Sequence, residues 1–431
     1  MPAPLPVLLV AHQLPPLGGP GVRRPASWVR AWPRHGVVPH VVSAPAEDGA
    51  RFHGYPILHG SDDGLEGTEV VRVPTPPPSG VAGALVRSLP PRIAWTLCHR
   101  RLREPESPWG AAALPVALDL ARRTGARVVV STSQPYEAHA VGCEVARRLG
   151  LPWVADFRDP MTEAEGRWWP SRLHWWAERR QERAWFAAAR LVWATAAAAA
   201  DRWRVRFPWA AGKVRLHRNA VEDPAALAAL PAAPPPPPLR IGHVGRFPDH
   251  GARSRARRFD FRPGRRAGTG ASPAAFFAGA ERFLARRPEA RGRLVWVTVG
   301  DPGEGRRPAG LVDEAHGPRA NAEALRIAAG CHALHLPLTV PPPWGSLFVN
   351  QKVYEYAALG RPVLVAGTPR EATDLLGDLA HVAPSDDPDA TAALLEGLWT
   401  GAIPTAPSPH EAASQEDVAA RCADELLSLA T

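Results

Sequence analysis

The sequence predicts an α/β protein made of two doubly wound, Rossmann-like parallel-sheet domains that face each other across a cleft. Three observations carry this. Short apolar runs alternate with helical stretches in both halves of the chain, a proline-rich break separates the halves, and several strand ends run into glycine-containing or charged turns. With 431 residues, two or three domains can each bury a core of their own.

In the first half the expected strands are Val7–Ala11, Val37–Ser43, Val70–Val73, Arg127–Thr132, Trp153–Asp156, Leu191–Ala194 and Val214–His217. Helices are expected between them, over Val22–Arg34, Ala111–Arg123 and Glu137–Leu149 among others. Apolar runs without polar alternation imply strands covered on both faces, hence a parallel sheet. Residues 222–238 end in five consecutive prolines, Pro234–Pro238, and are expected to be a linker. The alternation restarts with Leu239–Val244, Leu294–Val299, Ala333–Leu336, Pro362–Val365 and Leu379–Val382, with helices over Pro273–Arg287, Arg319–Ala329 and Asn350–Leu359. The expected organisation is therefore 1–221, a linker at 222–238, 239–405, and a C-terminal helix in 406–431. Asp387 and Asp389 are expected in a solvated loop.

The formal net charge of +9 points to an anionic partner: nucleic acid, anionic lipid or a phosphorylated substrate. Almost all of the basic charge is arginine, since the only lysines are Lys213 and Lys352. The cysteines Cys98, Cys143, Cys331 and Cys422 lie far apart, which speaks against a zinc site or a disulfide scaffold and fits a reducing, cytoplasmic compartment. No stretch is apolar for the roughly 18 residues that a membrane span needs, and Val7–Ala11 is expected to be a strand, not a signal peptide. Residues 251–272 are arginine-rich without apolar periodicity. They read as a basic loop, with an anionic-lipid contact or an out-of-frame stretch as alternatives.

Four clusters carry chemistry. HQLPPLGGPGVRR (12–24) places Gly18, Gly19 and Gly21 before a helix, where free backbone N–H groups and the helix dipole suit a phosphate or a sugar hydroxyl; a plain strand-to-helix turn is the alternative. The dinucleotide fingerprint is broken, because Arg24 stands at its third glycine position. LPWVADFRDP (151–160) sets Asp156, Arg158 and Asp159 just past a buried strand, either to orient sugar hydroxyls or as a local ion pair. VGRF (244–247) puts Arg246 beside Gly245, and a guanidinium there is shaped to hold a diphosphate. NQKVYEYAALGRPVL (350–364) places Lys352 and Glu355 on one helical face, suited to a diphosphate and to ribose hydroxyls, or to an ordinary solvated pair.

Taken together, LPPLGGPGVRR (14–24), STSQPYEAH (131–139), WVADFRDP (153–160), RLHRNAVEDP (215–224), GHVGRF (242–247) and KVYEYAALGRPVL (352–364) resemble the bacterial family 4 glycosyltransferases. The resemblance is to the subgroup with a Phe-Pro-Pro-x-Gly-Gly-like loop and an Asp-Phe-Arg-Asp-Pro motif, and it covers nearly the whole chain. It implies the GT-B fold, sugar transfer from a nucleotide-sugar donor with retention, and neither cofactor nor metal. It makes Arg246 and Lys352 the catalytic cations on the diphosphate and Glu355 the ribose ligand. Gly245, Gly18 and Gly19 would then approach the donor nucleotide, and Arg24, Asp156, Arg158 and Asp159 the sugar and acceptor. The chain departs from the pattern at Leu347, where the family usually has a glutamate, and at Asn219-Ala220, where it usually has Asn-Gly.

The implied acceptor is a cell-envelope or exopolysaccharide glycan, or a lipid-linked one. Residues 167–186 mix arginines with Trp168, Trp169, Trp175, Trp176 and Trp185, a composition for an anionic membrane surface or for packing on the first domain. The first of these puts the protein at the inner face of the plasma membrane. Nucleic acid is disfavoured, because no recognition motif accompanies the charge. The rival functions are a nucleotide-sugar epimerase and a catalytically inactive relative that binds nucleotide.

Overall fold

The computed structural model describes residues 3–53, 65–76, 107–163, 169, 171–247, 272–303, 305–338, 347–368, 370–408 and 410–430. The arginine-rich segment lies outside these residues, apart from Ser272, as do Trp168 and Cys98. The chain divides into two units. The first holds residues up to Asn219 together with the C-terminal helix, and the second draws on the chain between Ala220 and Ser414.

In the first unit β1 (Leu5–Ala11), β2 (Val37–Ser43), β3 (Val70–Arg72), β4 (Val128–Thr132), β5 (Trp153–Phe157), β6 (Leu191–Ala194) and β7 (Val214–Leu216) form a parallel sheet in the order β3-β2-β1-β4-β5-β6-β7. Every residue of β4 and β5 is buried, as the unbroken Val and Ala runs require when helices cover both faces. The helices are α1 (Pro20–Ala31), α2 (Ala46–His53), α3 (Ser107–Arg123), α4 (Glu137–Leu149), α5 (Arg172–Ala188) and α6 (Ala197–Arg206).

In the second unit β8 (Leu239–Gly245), β9 (Leu294–Gly300), β10 (Leu311–Ala315), β11 (Ala333–Leu338), β12 (Val363–Gly367) and β13 (Ala380–Ala383) are parallel in the order β10-β9-β8-β11-β12-β13. Its helices are α7 (Pro224–Ala228), α8 (Ala274–Arg286), α9 (Asn321–Ala329), α10 (Gln351–Leu359), α11 (Glu371–Leu376) and α12 (Pro388–Thr400). The last helix, α13 (Gln415–Ala430), joins the first unit: Glu416 pairs with Arg34 and His35, and Glu425 accepts from the Trp193 indole at 2.7 Å.

Three local expectations change. The stretch 222–238 is docked on the second unit: Asp223 caps α7 through the Ala226 N–H, the Pro231 carbonyl accepts from Arg361 at 3.5 Å, and the Pro234 carbonyl from His332 at 2.7 Å. Prolines cannot donate to a ladder, but their carbonyls still accept. The acids near 387 open a helix, Asp387 capping α12 and Asp389 pairing with Arg282 and Arg286. The tryptophan-rich stretch is split by α5. Trp169 and Trp185 are buried, with the Trp169 indole donating to Glu178 at 2.8 Å, whereas Trp176 is 58 % exposed.

Candidate functional site

In each sheet the first strand is interior, and the strand order reverses beside it, between β1 and β4 and between β8 and β11. Ligands of doubly wound sheets bind at the carboxyl ends of the strands flanking such a reversal. The predicted site residues fall at these two edges.

In the second unit β8 ends at Gly245, whose φ of 111° favours glycine, and a Cβ on neighbouring Gly300 would fall 2.6 Å from the Gly245 carbonyl oxygen. Helix α10 begins after Asn350 and stops at Gly360, in the left-handed region at φ 63°. Lys352 stands in its first turn, with Nζ 3.3 Å from where a Cβ on Gly245 would lie. Among the described residues the ammonium's one hydrogen-bond contact is His243 Nε2, at 3.4 Å. Burial lowers the Lys352 pKa to about 8 against the opposing pull of Glu355. A half-buried cation at a helix N-terminus, next to a strand end without a side chain, is chemically suited to an anion.

Glu355, 4 % exposed, lies three residues further along α10. The neighbouring Tyr356 hydroxyl accepts from the Val244 N–H at 3.0 Å and fastens the helix to β8. Arg246, one residue beyond Gly245, is exposed. The structure thus brings Lys352 to Gly245, with Arg246 next in the chain and Glu355 on the same helix. Sequence reasoning missed His243 and His335, both buried here, because a lone histidine in an apolar strand carries no spacing signal.

In the first unit the charged residues of the expected set are engaged in contacts within the protein. Arg24 donates through Nε and Nη2 to Asp156 Oδ1, at 3.0 and 2.8 Å, and through Nη1 to the His217 carbonyl at 2.9 Å. Thr132 Oγ1 donates to Asp156 Oδ2 at 2.7 Å. Both side chains of the pair are buried, at 5 % and 0 % exposure, so Arg24 and Asp156 join α1, β5 and the end of β7. Arg158 is likewise engaged, donating to the carbonyls of Ser133, Gln134 and Gly21. Asp159 accepts from Gln134 Nε2 at 3.3 Å, and burial raises its pKa. Of the predicted glycines here, Gly18 and Gly19 precede α1, whereas Gly21 lies within its first turn. Gly18 is buried, and Gly19 caps α1 at φ 99° with Pro20 following and no acid in the first turn.

No protein-family model matches the chain, and no curated protein matches it. Solved structures similar to it over nearly the whole chain include the following three. A glycosyltransferase from Rickettsia africae ESF-5 shares 10 % identity, with 99 % of this chain and 93 % of that one covered and a TM-score of 0.53. Anabaena HepE in complex with UDP-glucose shares 14 %, covering 98 % and 99 %, at 0.51. The UDP-GlcNAc 2-epimerase from Methanocaldococcus jannaschii shares 9 %, covering 98 % and 99 %, at 0.52. At these identities the likeness is one of fold, and the fold is GT-B: two parallel-sheet α/β domains, as the sequence predicts.

Proposed function

We propose that the chain is a retaining family 4 glycosyltransferase that takes a sugar from a nucleotide-sugar donor without a metal, its second unit holding the nucleotide. The observation that carries this reading is Lys352, a half-buried cation at a helix N-terminus with no carboxylate in ion-pair reach among the described residues. Lys352 and Arg246 hold the diphosphate, Gly245 lets it approach the backbone, and Glu355 takes the ribose hydroxyls. In the first unit, the Gly18–Gly19 loop and the α1 N-terminus offer N–H groups suited to a phosphate or a sugar hydroxyl. Charge builds on the diphosphate as the glycosidic bond breaks, and a fixed cation stabilises it more in the transition state than in the ground state. The fold likeness to a UDP-glucose complex and a UDP-GlcNAc epimerase makes UDP the first base to try.

The acceptor is a cell-envelope or exopolysaccharide glycan, or a lipid-linked one, and the protein works at the inner membrane face. Among the described residues no helix is long and apolar enough to cross a membrane. The outer side of α5 offers a surface contact instead, with Leu173 at 74 % and Trp176 at 58 % exposure and Arg183 stacked over Trp209 at 5.5 Å. A second reading, nucleotide binding without transfer, is favoured by Leu347, a buried apolar side chain where the family pattern has a glutamate.

Thermal stabilisation by UDP, GDP, dTDP and ADP tests the proposal. A shift with one nucleotide, lost in Lys352→Met, is expected. No shift with any of them would remove the donor site.

A further inference from the structure

The donor site leaves His243 and His335 without a role, though both are buried at the strand reversal directly beneath it. His243 Nδ1 lies 3.1 Å from the His335 carbonyl oxygen. A carbonyl can only accept, so Nδ1 carries the proton, and the neutral ring turns the Nε2 lone pair outward. That lone pair meets Lys352 Nζ at 3.4 Å. The ring cannot easily rotate away: Phe247 stacks on it at 3.9 Å with planes 21° apart, and Trp296 lies nearly parallel at 6.3 Å. Burial lowers the His243 pKa well below its ordinary value, with Lys352 and then His335 adding to the effect, so the ring stays an acceptor at neutral pH.

We propose that His243 is a positioning residue for Lys352, a rigid acceptor that holds the ammonium at Gly245 and favours its charged form where a nucleotide diphosphate binds. The inference rests on the donor-site reading above. The titratable groups that interact with Lys352 are His243 from β8, His335 from β11 and Glu355 from its own helix. Neutral His335, its pKa lowered to about 3 by burial and then by Lys352, supplies no compensating anion. Glu355 pulls in the same direction as the His243 lone pair. The His243 acceptor is thus the hydrogen-bond partner on which the ammonium depends.

The scarcity of lysine makes a direct test practical. With only Lys213 and Lys352 in the chain, labelling the lysine side-chain ε position gives a two-signal NMR spectrum in which Lys352 can be titrated. His243→Phe keeps a flat ring but removes the acceptor. His243→Gln can place an oxygen near the position of Nε2, whereas His243→Asn reaches only that of Nδ1. The Phe and Asn variants are expected to lower the Lys352 midpoint by about one unit and to weaken nucleotide binding about tenfold, with the Gln variant restoring most of both. If the Phe variant does not fold, the Gln–Asn contrast carries the test alone. An identical Lys352 midpoint in the wild type, Gln and Asn proteins would overturn the positioning role. Adding UDP, GDP, dTDP and ADP in turn separates the two claims: a wild-type Lys352 signal that none of them moves would sink the donor site, whatever the His243 variants do.

Discussion

The carboxyl edges of the two sheets carry similar charged side chains in opposite circumstances. At the first, Arg24 is matched to Asp156 and the His217 carbonyl, and Arg158 to three loop carbonyls, so the guanidinium groups hold the unit together. At the second, Lys352 meets a neutral histidine and a bare glycine. The difference teaches that a charged motif at a strand end is not by itself a site. What marks a binding cation is burial without a compensating anion, a state the protein tolerates at a cost that a bound anion removes. The two lysines make the same point. Lys213 donates to the carbonyls of Ala187 and Ala189 at 3.0 and 2.9 Å and closes the end of α5, a structural helix cap.

Substitutions can break or sharpen this contrast. The largest effect is expected from Arg24→Ala, which leaves Asp156 buried and uncompensated and should cost about 3–5 kcal/mol of stability in denaturant titration. Nucleotide affinity of the folded fraction should stay at the wild-type value; a selective loss of affinity with stability intact would return Arg24 to the site. Next, Lys352→Met should weaken nucleotide binding by about 1.5–3 kcal/mol, as for hydrogen bonds to a charged group, without lowering the melting temperature. Glu355→Ala should weaken binding by roughly 1–3 kcal/mol on the same scale. An unchanged affinity would detach Glu355 from the ribose. The smallest effect belongs to Lys213→Met, about 0.5–1 kcal/mol of stability from a lost helix-end contact, with binding untouched.

The fold was largely legible in the sequence because parallel strands covered on both faces must be apolar throughout, and runs such as VVVST and LVWVTVG say so directly. Strand β10 was not legible: at the sheet edge, LVDEA exposes most of its residues and keeps no apolar signature. The candidate donor helix α10 stood out in the sequence through Lys352, a rare residue type in this chain beside a glycine-stopped helix. The Arg24–Asp156 pair was not, since its partners are 132 residues apart and only the tertiary fold joins them. His243 escaped for a related reason, because its meaning comes from Lys352, on a helix 109 positions away.

The proposal stands on Lys352 as the half-buried cation of a nucleotide site, with no carboxylate in ion-pair reach among the described residues. Its pKa near 8 sets the sign of the pH dependence: the ammonium is present below that value and lost above it. The most direct measurement is calorimetric titration of the wild-type protein and Lys352→Met with the stabilising nucleotide at pH 7 and pH 9. The account predicts that wild-type affinity falls between the two pH values, while the variant binds weakly and equally at both. Equal wild-type affinity at pH 7 and 9, or a variant that keeps the wild-type pH dependence, would contradict it.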